Sequence, residues 1–93
     1  MSKLLVFVNI FVESSAMDDV VQALGRLSNV VELYQVTGEY DIIAVVSATD
    51  IEEFSDFLKC KILKINGVRN TITSVVFNTT KCSRYLAEAQ RNR

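Results

Sequence analysis

An α+β fold with the element order β-α-β-β-α-β is what this sequence predicts, and three observations lead there. Four stretches rich in β-branched and aromatic residues alternate with two helical patterns in that order. The two middle strands flank a glycine turn, which makes them a hairpin. The helix-to-strand corners Leu27-Ser28-Asn29-Val30 and Ile65-Asn66-Gly67-Val68 resemble each other 38 residues apart. The chain therefore reads as two βαβ-type halves joined by the hairpin.

The first element, Leu4 to Val12 (LLVFVNIFV), presents Leu4, Val6, Val8, Ile10 and Val12 on one face and Leu5, Phe7, Asn9 and Phe11 on the other. Both faces are mostly apolar, so both should be covered. Asn9 stands out there as a polar side chain for an interface or a strand edge to satisfy. Ser15, three residues before Asp18, looks like a capping box. Met17, Val20, Val21, Leu24 and Leu27 follow at helical spacing, ending near Ser28-Asn29, where Asn29 could take a left-handed cap.

Residues 30–37 (VVELYQVT) alternate as a strand, with Val31, Leu33 and Gln35 against Val30, Glu32, Tyr34 and Val36. Gly38-Glu39 is the turn and residues 40–48 (YDIIAVVSA) the return. Asp50 and Glu53 form a second capping signature. It opens a helix whose stripe is Ile51, Phe54, Phe57, Leu58, Ile62 and Ile65. Asn66-Gly67 closes that helix, and residues 68–78 (VRNTITSVVFN) make the last strand. This is the split, ferredoxin-like arrangement, with a four-stranded antiparallel sheet and both helices on one face.

Composition sets the function classes. Ninety-three residues, 49% of them apolar, suffice for one core. Residues 1–80 are read as that domain and 81–93 as a polar tail, with a short helix expected over 83–91. A net charge of −1 offers no general attraction to a phosphate backbone, so direct nucleic-acid binding is not expected. There is no histidine and no metal-ligand spacing, so no catalytic residue, metal or cofactor is assigned. Cys60 and Cys82 read as reduced thiols of a cytoplasmic protein. Lys3, the apolar run and Ser14-Ser15-Ala16 superficially resemble a leader, but the run is short, carries Asn9 and supplies the first strand. No segment has about 18 apolar residues in a row, so no membrane partner is expected.

Two consequences follow for function. The sheet face opposite the helices carries Val, Phe, Leu and Tyr with nothing to cover it. A second copy, sheet on sheet, is the economical cover, giving a dimeric α/β barrel. The hairpin Val36-Thr37-Gly38-Glu39-Tyr40-Asp41 combines exposed backbone N–H groups with two carboxylates. With hydroxyls from Thr71 and Thr73 it could hold an α-amino acid. On the chemistry of these residues alone, the favoured reading is only a turn, with Asp41 bonded to nearby backbone.

The string over residues 30–43, VVELYQVTGEYDII, resembles the "V-x-x-x-y-x-v-t-G-x-y-D" pattern of Lrp/AsnC effector (RAM) domains. The string INGVRNTIT over residues 65–73 resembles their "l-p-G-V-x-x-t-x-T" ending, with Asn66 where proline is usual. The likeness runs over residues 4–77. It implies a domain that dimerises through its sheet, assembles further into rings of dimers, and binds an amino acid or related effector between dimers. It places that ligand at Gly38, Glu39, Tyr40, Asp41, Thr71 and Thr73, with Asp41 on its amino group. Full-length regulators carry a helix-turn-helix, whereas this chain starts at the effector-domain strand and resembles the stand-alone members. It could then act by co-assembly with DNA-binding relatives. Two other classes compete. A cofactor-independent monooxygenase-type barrel would need a reactive cleft, for which His and Trp are absent. A purely structural assembly unit would be indifferent to ligands.

Overall fold

In a computed structural model, which describes residues 3–82, the predicted element order is observed. The strands are β1 (Leu4–Val12), β2 (Val30–Gln35), β3 (Ile42–Ala48) and β4 (Val68–Val76); the helices are α1 (Met17–Gly25) and α2 (Ile51–Phe57). The sheet runs β2-β3-β1-β4, every neighbouring pair antiparallel. The expected tail helix lies outside the described residues. Among these, no helix is long and apolar enough to cross a membrane.

The two faces of β1 separate as its alternation predicts. Val6, Val8, Ile10 and Val12 are buried beneath the helices. Directly opposite residues of paired strands point to the same side, so Ala44 and Val46 of β3 join them, as do Val20 and Leu24 of α1 and Phe54 and Phe57 of α2. Each Val, Ile, Leu or Phe side chain among them stabilises the fold by roughly 1.5–3 kcal/mol through its removal from water. The other face stays open: Phe7 is 38% exposed, Tyr34 47% and Ile72 44%. Asn9 lies on it and donates from Nδ2 to the Ile72 carbonyl at 3.2 Å, across the β1–β4 seam.

The structure departs from the local sequence pattern in five places. Ser15 caps nothing; it sits inside a 3₁₀ turn, Ser14–Ala16, and α1 starts without a side-chain cap, supported by Asp18 and Asp19 in its first turn. The helix ends at Gly25, and Asn29 does not take a left-handed conformation, since no described non-glycine residue has positive φ. Its amide instead donates to the Ser47 carbonyl at 2.9 Å. A bulge between Val30 and Glu32 breaks the alternation of β2, so Val30 shares the inner face with Leu33 and Val31 is left exposed. The two middle strands are shorter than predicted, and a six-residue loop (36–41) replaces the tight turn.

The fifth departure concerns α2. Its N-terminus is capped as read: Asp50 accepts from the Glu53 N–H at 2.8 Å, and the Glu53 carboxylate accepts from the Thr49 N–H. After Phe57, however, the helix widens into a π turn, Leu58–Ile62, closed by the Leu63 N–H on the Leu58 carbonyl at 2.9 Å. Residues five apart stack on such a turn, which seats both Phe57 and Ile62 in the core while Ile51 remains exposed.

Candidate ligand-binding site

The site forms where β1 ends between the beginnings of β3 and β4. Asp41, the residue before β3, donates its N–H to the Ile10 carbonyl at 3.0 Å and accepts the Val12 N–H on Oδ2 at 2.8 Å. Its carboxylate thus continues the sheet ladder where the strand has no further residue to offer. The loop before it closes with the Val36 N–H on the Asp41 carbonyl at 3.0 Å, and Gly38 takes a φ of 119° at its outer part. Tyr40 folds back so that its ring meets that of Phe11 edge to face, centroids 5.3 Å apart.

On the open side of the sheet, Phe11, Asp41, Arg69 and Asn70 line a cleft of about 350 Å³. The strand register explains the grouping. Phe11 of β1 pairs with Asn70 of β4, and Asp41 stands one residue beyond the Ile10–Ile42 pair on the other flank. Arg69 falls in the irregular step of the β1–β4 pairing, and its Nε meets the Glu13 carboxylate at 3.3 Å. One wall therefore offers a carboxylate, another a guanidinium and an amide, and Phe11 an apolar surface. A volume of this size suits a small metabolite. Among the described residues, no group of three or more His, Cys, Asp or Glu could hold a metal ion.

Of the residues singled out from sequence, Asp41 lies in the cleft wall. Gly38, Glu39 and Tyr40 lie in the adjoining loop without lining it. Thr71 and Thr73 pair with Ile10 and Val8, whose side chains are buried under the helices, so within one chain they face away from Asp41. Phe11, Arg69 and Asn70 are additions that the sequence motifs do not mark. The alternation of β1 already assigns Phe11 to the open face. Arg69 and Asn70 are the two unspecified positions in the G-V-x-x-t string, where only the strand register reveals their neighbours.

Residues 5–86 match the sequence pattern of the Lrp/AsnC ligand binding domain. The HTH-type transcriptional regulator Ptr1 of Methanocaldococcus jannaschii is 33% identical over 72 residues, 77% of this chain and 49% of that protein. The chain spans about half the length of the curated relatives it matches. Among solved structures, TTHA0845 from Thermus thermophilus superposes with a TM-score of 0.80 at 33% identity, covering 85% of this chain and 99% of that one. The transcriptional regulator NMB0573 of Neisseria meningitidis, solved as a complex with L-Met, superposes with a TM-score of 0.80 at 25% identity. That match covers 85% of this chain and 53% of the regulator.

Proposed function

The chain belongs to the Lrp/AsnC ligand-binding family, and from that premise we propose that it is a cytoplasmic sensing and assembly module for an amino acid. Its relatives are named as transcriptional regulators, and one was solved with L-Met. The observation that carries the reading is Asp41. One oxygen of its carboxylate is committed to the Val12 N–H, and the group forms part of the wall of a metabolite-sized cleft. An α-ammonium group drawn to that carboxylate is held by a charge-assisted bond.

Assembly follows from the open sheet face. Phe7, Tyr34 and Ile72 leave water when a second copy packs sheet on sheet, and rings of such dimers would bring further copies together. Thr71 and Thr73, turned to the other side, would then serve a ligand held by a neighbouring copy. Gly38, Glu39 and Tyr40 border the same contact. Co-assembly with DNA-binding relatives would carry the ligand signal to transcription.

Calorimetric titration of the twenty common amino acids is the test, with Asp41→Asn as the comparison. Asparagine keeps an acceptor for the Val12 N–H and removes the charge. The expected outcome is sub-millimolar binding by the native protein and a loss of about tenfold or more in the variant. Absence of any binding at millimolar concentrations overturns the reading. For the assembly, Phe7→Glu is expected to halve the mass measured by light scattering, because it buries a charge in the sheet contact.

A further inference from the structure

We propose that Arg69 is the carboxylate receptor of the cleft, with Glu13 as its positioning residue, so that the ligand is a zwitterionic α-amino acid and not an amine or an amide. The inference rests on reading the cleft as the ligand site and adds which end of the ligand goes where.

Arg69 meets Glu13 through Nε, the side edge of the guanidinium. The terminal Nη groups carry the remaining N–H donors of a side chain that is largely exposed. A guanidinium held by one edge presents the other as a planar fork, the geometry that matches a carboxylate bidentately. Glu13 is suited to hold it because its own backbone is fixed. Its N–H donates to the Gly67 carbonyl at 2.9 Å, and its carbonyl accepts the Ala16 N–H at 2.9 Å. Gly67 lies two residues before Arg69, so both members of the ion pair spring from segments bonded to each other.

Asn70 supports the same assignment. Its Oδ1 accepts the Thr71 N–H at 2.9 Å, which turns the acceptor to the backbone and leaves Nδ2 as a donor beside Arg69. Donors for a carboxylate thus stand on β4, and the acceptor for an ammonium, Asp41, stands across β1 on the β3 side. Phe11 between them offers a surface to the ligand's apolar atoms. The Arg69 and Glu13 side chains are 64% and 60% exposed, and an ion pair in that setting adds little to folding. Its removal can therefore be read in binding without loss of the fold.

The experiment titrates the twenty common amino acids, and the carboxamide of the tightest binder, into the native protein, Arg69→Gln, Glu13→Gln and the double variant. Expected are a loss of about tenfold or more in Arg69→Gln, a loss of about threefold in Glu13→Gln, and no further loss on adding Glu13→Gln to Arg69→Gln. The carboxamide should bind the native protein and Arg69→Gln equally weakly. Native affinity in Arg69→Gln, or equal binding of acid and carboxamide, overturns this assignment while leaving the Asp41 reading intact. An additive effect of Glu13→Gln in the Arg69→Gln background removes Glu13 from it. No binding of any amino acid to the native protein overturns both.

Discussion

The two helix-to-strand corners perform one task by different means. At the first, the Val30 N–H bonds the Leu27 carbonyl and the Asn29 carbonyl accepts the Ser47 N–H at the end of β3. At the second, the Val68 N–H bonds the Ile65 carbonyl and the Gly67 carbonyl accepts the Glu13 N–H just past β1. The backbone pattern is the same 38 positions apart. The difference lies in the third residue. Asn29 stays in ordinary conformation and spends its side chain on the Ser47 carbonyl, whereas Gly67 adopts a φ of 101° with the start of α1 pressed against it. A Cβ at position 67 would stand 2.4 Å from the Ala16 Cβ and 3.1 Å from a Val20 methyl. One corner is tied by a side chain and the other by the lack of one.

Substitutions can break or sharpen this contrast. The largest effect is expected for Gly67→Ala, which combines a disfavoured φ with a clash against Ala16 and Val20. A loss of about 3 kcal/mol in urea denaturation is predicted. Gly38→Ala isolates the conformational part, because nothing lies within 4 Å of the added carbon at a φ of 119°. About 1.5 kcal/mol is expected there. If the two losses came out equal, crowding would have no part in the second corner.

Asn29→Ala should cost about 1 kcal/mol through the unpaired Ser47 carbonyl. Asn29→Gly should be no better, because the position needs no left-handed backbone; recovery with glycine would erase the distinction between the corners. The smallest effect concerns Glu53 at the opening of α2. The Thr49 backbone N–H, followed by the Thr49 side chain, holds its carboxyl below the ordinary 4.5 against smaller opposition from desolvation and then Asp50. A depressed carboxylate stabilises above its unfolded value and loses that contribution as pH falls through the folded one. The melting temperatures of native protein and Glu53→Gln should therefore converge as acid is added below about pH 4.5, and stay apart at neutral pH.

The corners also show what sequence can and cannot disclose. Their equivalence is readable because it is local and repeated, as are the faces of β1 and the Asp50–Glu53 cap. Asn29 suggests a left-handed cap because asparagine tolerates that conformation. Its true partner, Ser47, lies on another strand, and strand pairing is not a local property. The same limit hides the bulge at Val31 and the π turn after Phe57, each a one-residue adjustment made to satisfy the core. It also hides the cleft. Asp41 is visible in its motif, but its neighbours Phe11, Arg69 and Asn70 come from two other strands, and register alone unites them. Thr71 and Thr73 belong to the same motif as Arg69 and Asn70, yet strand alternation sends them to the far side.

The end of β1 acts as a stitch between the two strands that flank it. Consecutive amides are sewn to opposite sides, Val12 to the Asp41 carboxylate on the β3 flank and Glu13 to the Gly67 carbonyl on the β4 flank. A ligand that approaches the remaining oxygen of Asp41 leaves that seam closed. One that also reaches Oδ2 can share it with Val12, because each carboxylate oxygen accepts two hydrogen bonds. Spare acceptor capacity on one carboxylate thus lets the same group close the backbone seam and still face the cleft.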